Sequence, residues 1–302
     1  MINNTLIGIF AAILSAMSWA LCSVMFKKLT EKLEPAAMTF IKASVSSFLI
    51  FILILITGTN LNISAQNLTA AAISGFLGIA VGDSLFFAAL KRLSPLNLSL
   101  ILFVFPYLLS GLFGVIFLGE IPPAVVILAL LIIMTGVGFL IFPPEKNKEN
   151  IKTKTSGVIM GILSVFCTTY SMVILKPVLA TNSSLTITMY RMLFSAFVLF
   201  IFGLFSKRFF SWKDVLIQDK PYSLKLFGAI TIATFGGFWL SLVAIKYTHL
   251  VIASSLMSVE PLFILLFMVS LNGYIPKKKE YIGIFSILFG LILLCLRCIY
   301  EF

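Results

Sequence analysis

The chain is 302 residues long, 60% hydrophobic and only 11% charged, with a formal net charge of +11. Soluble domains average about a quarter charged residues, so this composition excludes a water-soluble globular protein and reads as an integral membrane protein. Little chain is left over for a soluble domain, and any activity must sit within the membrane or at its surfaces.

Apolar runs of about 20 residues can cross roughly 30 Å of hydrocarbon as helices, which satisfy their own backbone polar groups. Taken in order, the predicted spans are 5–26, 36–57, 69–90, 96–118 and 122–142, then a polar connection over 143–155, then 156–175, 185–205, 224–245, 251–271 and 281–299. No lysine or arginine precedes the first run and no small-residue cleavage site follows it, so it is expected to be a span and not a signal peptide. The predicted fold class is all-α integral membrane, with ten transmembrane helices in two five-helix repeats, 1–142 and 156–302, joined by the linker 143–155.

The repeat is legible residue by residue. The stretch from Gly82 to Pro122 returns from Gly237 to Pro276, with Ala89 on Ala244, Lys91 on Lys246 and Pro106 on Pro261. Nearer the start of each half, a displacement of 149 lays Gly8 on Gly157, Ser15 on Ser164, Lys27 on Lys176, Thr39 on Thr188 and Lys42 on Arg191. A half with an odd number of spans must re-enter the membrane reversed, which makes the repeat inverted and points to a transporter.

Most lysines and arginines fall in the loops after odd-numbered spans: Lys27, Lys28 and Lys32, then Lys91 and Arg92, and so on to Lys277, Lys278 and Lys279. The positive-inside rule then places those loops in the cytoplasm and both termini outside. In a soluble protein the same charge would suggest nucleic acid; in loops it suits anionic lipid head groups, so membrane lipids are expected partners and nucleic acid is not. The expected setting is the inner membrane of a bacterium, as a multi-pass protein.

Five plus five spans with the Ala-x-Lys and mid-helix proline pattern resemble the EamA-type transporters of the drug/metabolite transporter superfamily, over nearly the whole chain. Gly119-Glu120 is similar to the Gly-Glu usual after the fourth span, whereas the second half has Gly273-Tyr274. The resemblance implies movement of amino acids, nucleotide-derived metabolites, sugar phosphates or drugs, by exchange or with an ion gradient.

Four ionisable residues fall well inside the predicted spans: Lys42, Asp83, Arg191 and Glu260. A charge near the bilayer centre costs about 2.5 to 3.5 kcal/mol on insertion scales, so such residues face a watery cavity or one another. They read either as structural ion pairs or as a substrate or proton site. Lys42 is expected to meet Asp83 and Arg191 to meet Glu260, one pairing loosening as the other forms. Ser15, Ser18, Trp19 and Cys22 make a polar stripe at helical spacing, repeated by Ser164, Cys167, Thr168 and Ser171, that either lines a cavity or packs helices together. Gly78 with Gly82 and Gly157 with Gly161 have small-xxx-small spacing, which reads as close helix packing. Trp19, Tyr190, Phe235, Phe238 and Trp239 are candidate aromatic walls for a ligand. The candidate substrate-binding set is therefore Trp19, Lys42, Asp83, Tyr190, Arg191, Trp239 and Glu260.

No cofactor or metal is expected. The single histidine, His249, makes metal ligation improbable, and the four cysteines Cys22, Cys167, Cys295 and Cys298 lie in apolar runs, with the Cys295-Cys298 spacing a weak candidate for metal or redox chemistry. No phosphate-binding GxxxxGK[ST] motif appears, nor a nucleophile paired with a base, so ATP coupling within the chain and enzymatic activity are not expected. The reading is a secondary transporter of a small organic metabolite such as an amino acid, working by alternating access with proton coupling or exchange. A flippase for lipid-linked substrates and a membrane enzyme are the alternatives. Substrate, coupling ion and oligomeric state stay open.

Overall fold

A computed structural model gives the fold and describes residues 2–93, 98, 101–102, 105, 109, 112–119, 123–141, 151–207, 212, 220–257, 259–272 and 278–300. Pro106, Glu120, Pro122, the Gly273-Tyr274 pair, Pro276, much of the span expected over 96–118, most of the linker, and the side chains of Cys295 and Cys298 lie outside what is described. All regular structure among the described residues is helical.

The first three helices are α1 (Ile2–Leu29), α2 (Pro35–Thr57) and α3 (Ala65–Arg92), the last with a π-helical segment over Gly75–Val81. After a π-helical turn at Gly114–Leu118 come α4 (Ala124–Ile141), α5 (Ile151–Thr181) and α6 (Ser184–Phe205). The chain continues with α7 (Lys220–Tyr247), which carries a second long π-helical segment at Ala233–Trp239, and α8 (Leu250–Met257). It ends with α9 (Glu260–Asn272) and α10 (Lys278–Tyr300). Helix α5 begins inside the expected linker, at Ile151. Six of the described helices are long and apolar enough to cross a membrane: α1, α2, α3, α5, α6 and α7. Shorter apolar helices lie within α4 and α10. Ile56, Phe205, Leu224 and Phe285 stand largely exposed on the outer surface, an arrangement that suits lipid and not water.

Helix ends follow local chemistry. Pro35 opens α2, where its missing N–H costs nothing, and Gly58 closes it in the left-handed region at φ 63°, returning its N–H to the Ile54 carbonyl. Ser64 and Ser183 cap α3 and α6 through their side-chain oxygens. Pro261 cannot donate to continue a helix, and the single span expected over 251–271 is divided ahead of it, into a helix that ends at Met257 and another that includes Pro261 in its first turn. The Leu262 N–H bonds back to Val259 O at 2.9 Å, and α9 starts at Glu260.

The two halves interlock. Helix α1 packs on α7, α5 on α3, α2 along α6, and α4 along α10. Repeat-related residues make equivalent contacts: Ser15 Oγ donates to Gly237 O at 3.1 Å, and Ser164 Oγ donates to Gly82 O at 2.7 Å. Cys22 meets Ala229 O at 3.5 Å, and the corresponding pair, Ser74 and Ser171, is bonded with the donor on the other helix, at 3.0 Å. Close approach requires glycine: a Cβ at Gly8 would lie 2.7 Å from Thr248 Cγ2, and one at Gly157 2.7 Å from Leu93 Cγ. The two largest apolar clusters each draw residues from both halves.

Candidate functional site

Where the halves meet, a cavity of about 220 Å³ opens, with walls from α1, α3, α5, α6, α7, α8 and α9. Three devices bring polar groups to it. The π-helical segment of α3 presses Gly75 and Gly78 against Arg191 and Ser171, so closely that a Cβ at Gly78 would sit 2.2 Å from Ser171 Oγ. The break at Pro261 puts the Glu260 carboxylate in the first turn of α9, where the helix dipole favours negative charge. Helix α1 supplies Trp19 from its polar stripe and, one turn later, Ser23, whose hydroxyl donates to Glu260 Oε1 at 2.8 Å.

Of the seven candidate residues, Trp19, Asp83, Arg191 and Glu260 line this cavity. Lys42, 1% exposed, stands behind the wall: its ammonium forms an ion pair with Asp83, and Nζ lies 5.0 Å from the ring centre of Phe87 and 4.6 Å from that of Phe238. Buried cations need such a counter-charge, and aromatic faces add to it. Arg191, also 1% exposed, has among the described residues only Ser171 Oγ as a partner for Nη2, at 3.3 Å, and none for Nε and Nη1. Both Arg191 and Glu260 border the cavity, yet no ion pair joins them among the described residues.

Tyr190 and Trp239 do not line the cavity. They belong to a separate cluster around Ile50, Ile54, Leu185 and Met189, where Tyr190 donates to Leu61 O at 3.2 Å and Trp239 to Ser184 Oγ at 3.2 Å. Phe235 joins them, its ring 6.4 Å from that of Trp239. Phe238 instead faces the cavity, edge-on to Trp19 at 4.9 Å. The polar stripes divide in the same way: Ser15 is sealed under α7, whereas Trp19, Ser164 and Thr168 reach the wall. Ser23, Phe86, Thr169 and Ser241 also line it and were not singled out from the sequence. Only Ser23 left a signal, one turn beyond Trp19 on the same face.

A multi-pass membrane protein with a charged cavity between two interlocked halves is the class that this geometry defines. The sequence model of the EamA-like transporter family matches residues 6–142 and again 155–296. The chain therefore belongs to that family, within the drug/metabolite transporter superfamily. A crystal structure of a protein 18% identical superimposes with a TM-score of 0.74, covering 98% of this chain and 97% of the other, which shows a shared fold. No curated protein matches the chain significantly.

Proposed function

We propose that the chain is a secondary active transporter that moves a small organic metabolite through this cavity by alternating access. It does so as ten spans in two inverted five-helix repeats, set in a bacterial inner membrane with both termini outside. The observation that carries the reading is the cavity itself: its walls come from both halves, and it holds Asp83, Arg191 and Glu260 among hydroxyl, apolar and aromatic side chains. Substrate sites of inverted-repeat transporters lie at such repeat interfaces. The equivalent contacts of Ser15 and Ser164 support the repeat.

The test is counterflow. Protein in sealed liposomes is loaded with a panel of unlabelled small metabolites, and uptake of the matching labelled compounds is followed. Saturable, protein-dependent exchange of one class, lost in Ser254→Trp, which fills the cavity from α8, is the expected result. Exchange unaffected by that substitution, or no exchange with any compound, overturns the reading.

A further inference from the structure

Lys42 and Arg191 are repeat partners buried to the same degree, yet they are provided for unequally. Lys42 has Asp83 and two aromatic rings. Arg191 has one long bond to Ser171, and the donors on Nε and Nη1 have no acceptor among the described residues. Buried donors are nearly always satisfied, and an unmet guanidinium is a more pressing case than a neutral group. The surroundings are shaped for it: a Cβ at Gly78 would lie 3.1 Å from Nη2, and one at Gly75 would lie 2.5 Å from the Arg191 carbonyl oxygen. The residue borders the cavity, so the acceptor its fork lacks can arrive from there.

The charges around it restrict what arrives. Asp83 is committed to Lys42, and Glu260 holds the hydroxyl of Ser23 on the same cavity. Arg191 and Glu260 are thus the one cation and the one carboxylate on the cavity that stand outside an ion pair among the described residues. A dianion would carry more charge than the single guanidinium balances and would be repelled by Glu260, whereas a planar monoanion matches the fork of a guanidinium. Trp19, Phe86 and Phe238 provide apolar walls, and 220 Å³ is below the roughly 300–1,000 Å³ of drug-sized sites.

We propose that Arg191 is the anion seat of the cavity and that the substrate is a small organic molecule bound through a single carboxylate, not a phosphate ester. The proposal rests on the transporter reading and deepens it.

The test compares benzoate with two near-isosteres, neutral benzamide and dianionic phenyl phosphate, on the full-length protein in detergent. A ligand that binds the folded state raises its unfolding midpoint. Benzoate is expected to raise it, with benzamide and phenyl phosphate at least tenfold weaker. Arg191→Gln should erase the preference, and Arg191→Lys should keep part of it. If Arg191→Gln does not fold, the wild-type comparison decides alone. Equal binding of the three probes, a preference for phenyl phosphate, or no benzoate effect up to its solubility overturns the proposal. Counterflow on the same preparation separates the two readings. Metabolite exchange without benzoate binding removes the seat and leaves the transporter; benzoate binding without exchange does the reverse.

Discussion

Lys27 and Lys176 occupy matching positions in the two halves and make the same contact. Lys27 Nζ donates to Leu90 O at 2.6 Å and Leu93 O at 2.8 Å, at the end of α3, while Lys176 Nζ donates to Ile245 O at 2.6 Å and to Thr248 O, at the end of α7. The last carbonyls of a helix have no intrahelical donor, and a cation there also meets the negative end of the dipole. Each lysine therefore ties one half to a helix end, α1 to α3 within the first and α5 to α7 within the second. Lys27→Met and Lys176→Met should each destabilise the protein by about 1–3 kcal/mol by leaving partly buried acceptors without a donor. The two effects should add in the double variant, because the carbonyls that the two lysines bond lie on different helices. Thermal unfolding in detergent reads this; an unchanged midpoint in both variants would reduce the contacts to surface decoration.

The Lys42 and Asp83 pair makes a sharper demand. Removing one member leaves an uncompensated buried charge, so Lys42→Met alone is expected to cost about 3–5 kcal/mol. Lys42→Met combined with Asp83→Leu should recover most of that loss, since a buried pair exchanged for apolar residues is often neutral. A double variant no more stable than the worse single one would contradict the pairing.

Glu260 offers a route to proton coupling. Its carboxylate borders the cavity and accepts from Ser23, a bond that the neutral amide of glutamine can also accept. Glu260→Gln should therefore keep exchange while losing any acceleration by an imposed pH gradient. Equal acceleration in the variant and the wild type would assign the coupling elsewhere.

Orientation follows from the charge bias of the loops. A reporter active only in the cytoplasm, fused after Phe302, should stay silent. Activity there would reverse the orientation and leave the repeat intact.

How much of this was legible in the sequence differs from residue to residue. Ser15 and Ser164, Lys27 and Lys176, and Lys42 and Arg191 could be paired from spacing alone, because duplication preserves small and charged residues wherever helices touch. The pairing of Lys42 with Asp83 was also legible, since a buried charge favours an opposite one, but the same reasoning paired Arg191 with Glu260, which no ion pair joins among the described residues. The choice among aromatics was not. In helices that are apolar all round, nothing in the pattern says which face is inward. The residues in question, Phe235, Phe238 and Trp239, also sit in a π-helical segment, whose extra residue per turn shifts every later side chain off the 3.6-residue phase. Phe238 faces the cavity, and Trp239 bonds to Ser184 away from it. The interruption ahead of Glu260 could be suspected from Pro261, but its consequence, a carboxylate at a helix start facing Ser23, needed the packing of α1 against α9.

In the proposed mechanism, one cavity between the halves is reached from each side of the membrane in turn. Thr168 lines that cavity, so the direct measurement places a single cysteine there, in a background with the four native cysteines replaced by serine. An impermeant thiol reagent is then added to either face of sealed, oriented vesicles. Labelling from both faces, slowed on both by the transported compound, is the result expected, with Ser15→Cys inert throughout because it is sealed against Gly237. Labelling of position 168 from one face only, under every condition that supports exchange, would contradict alternating access through this cavity.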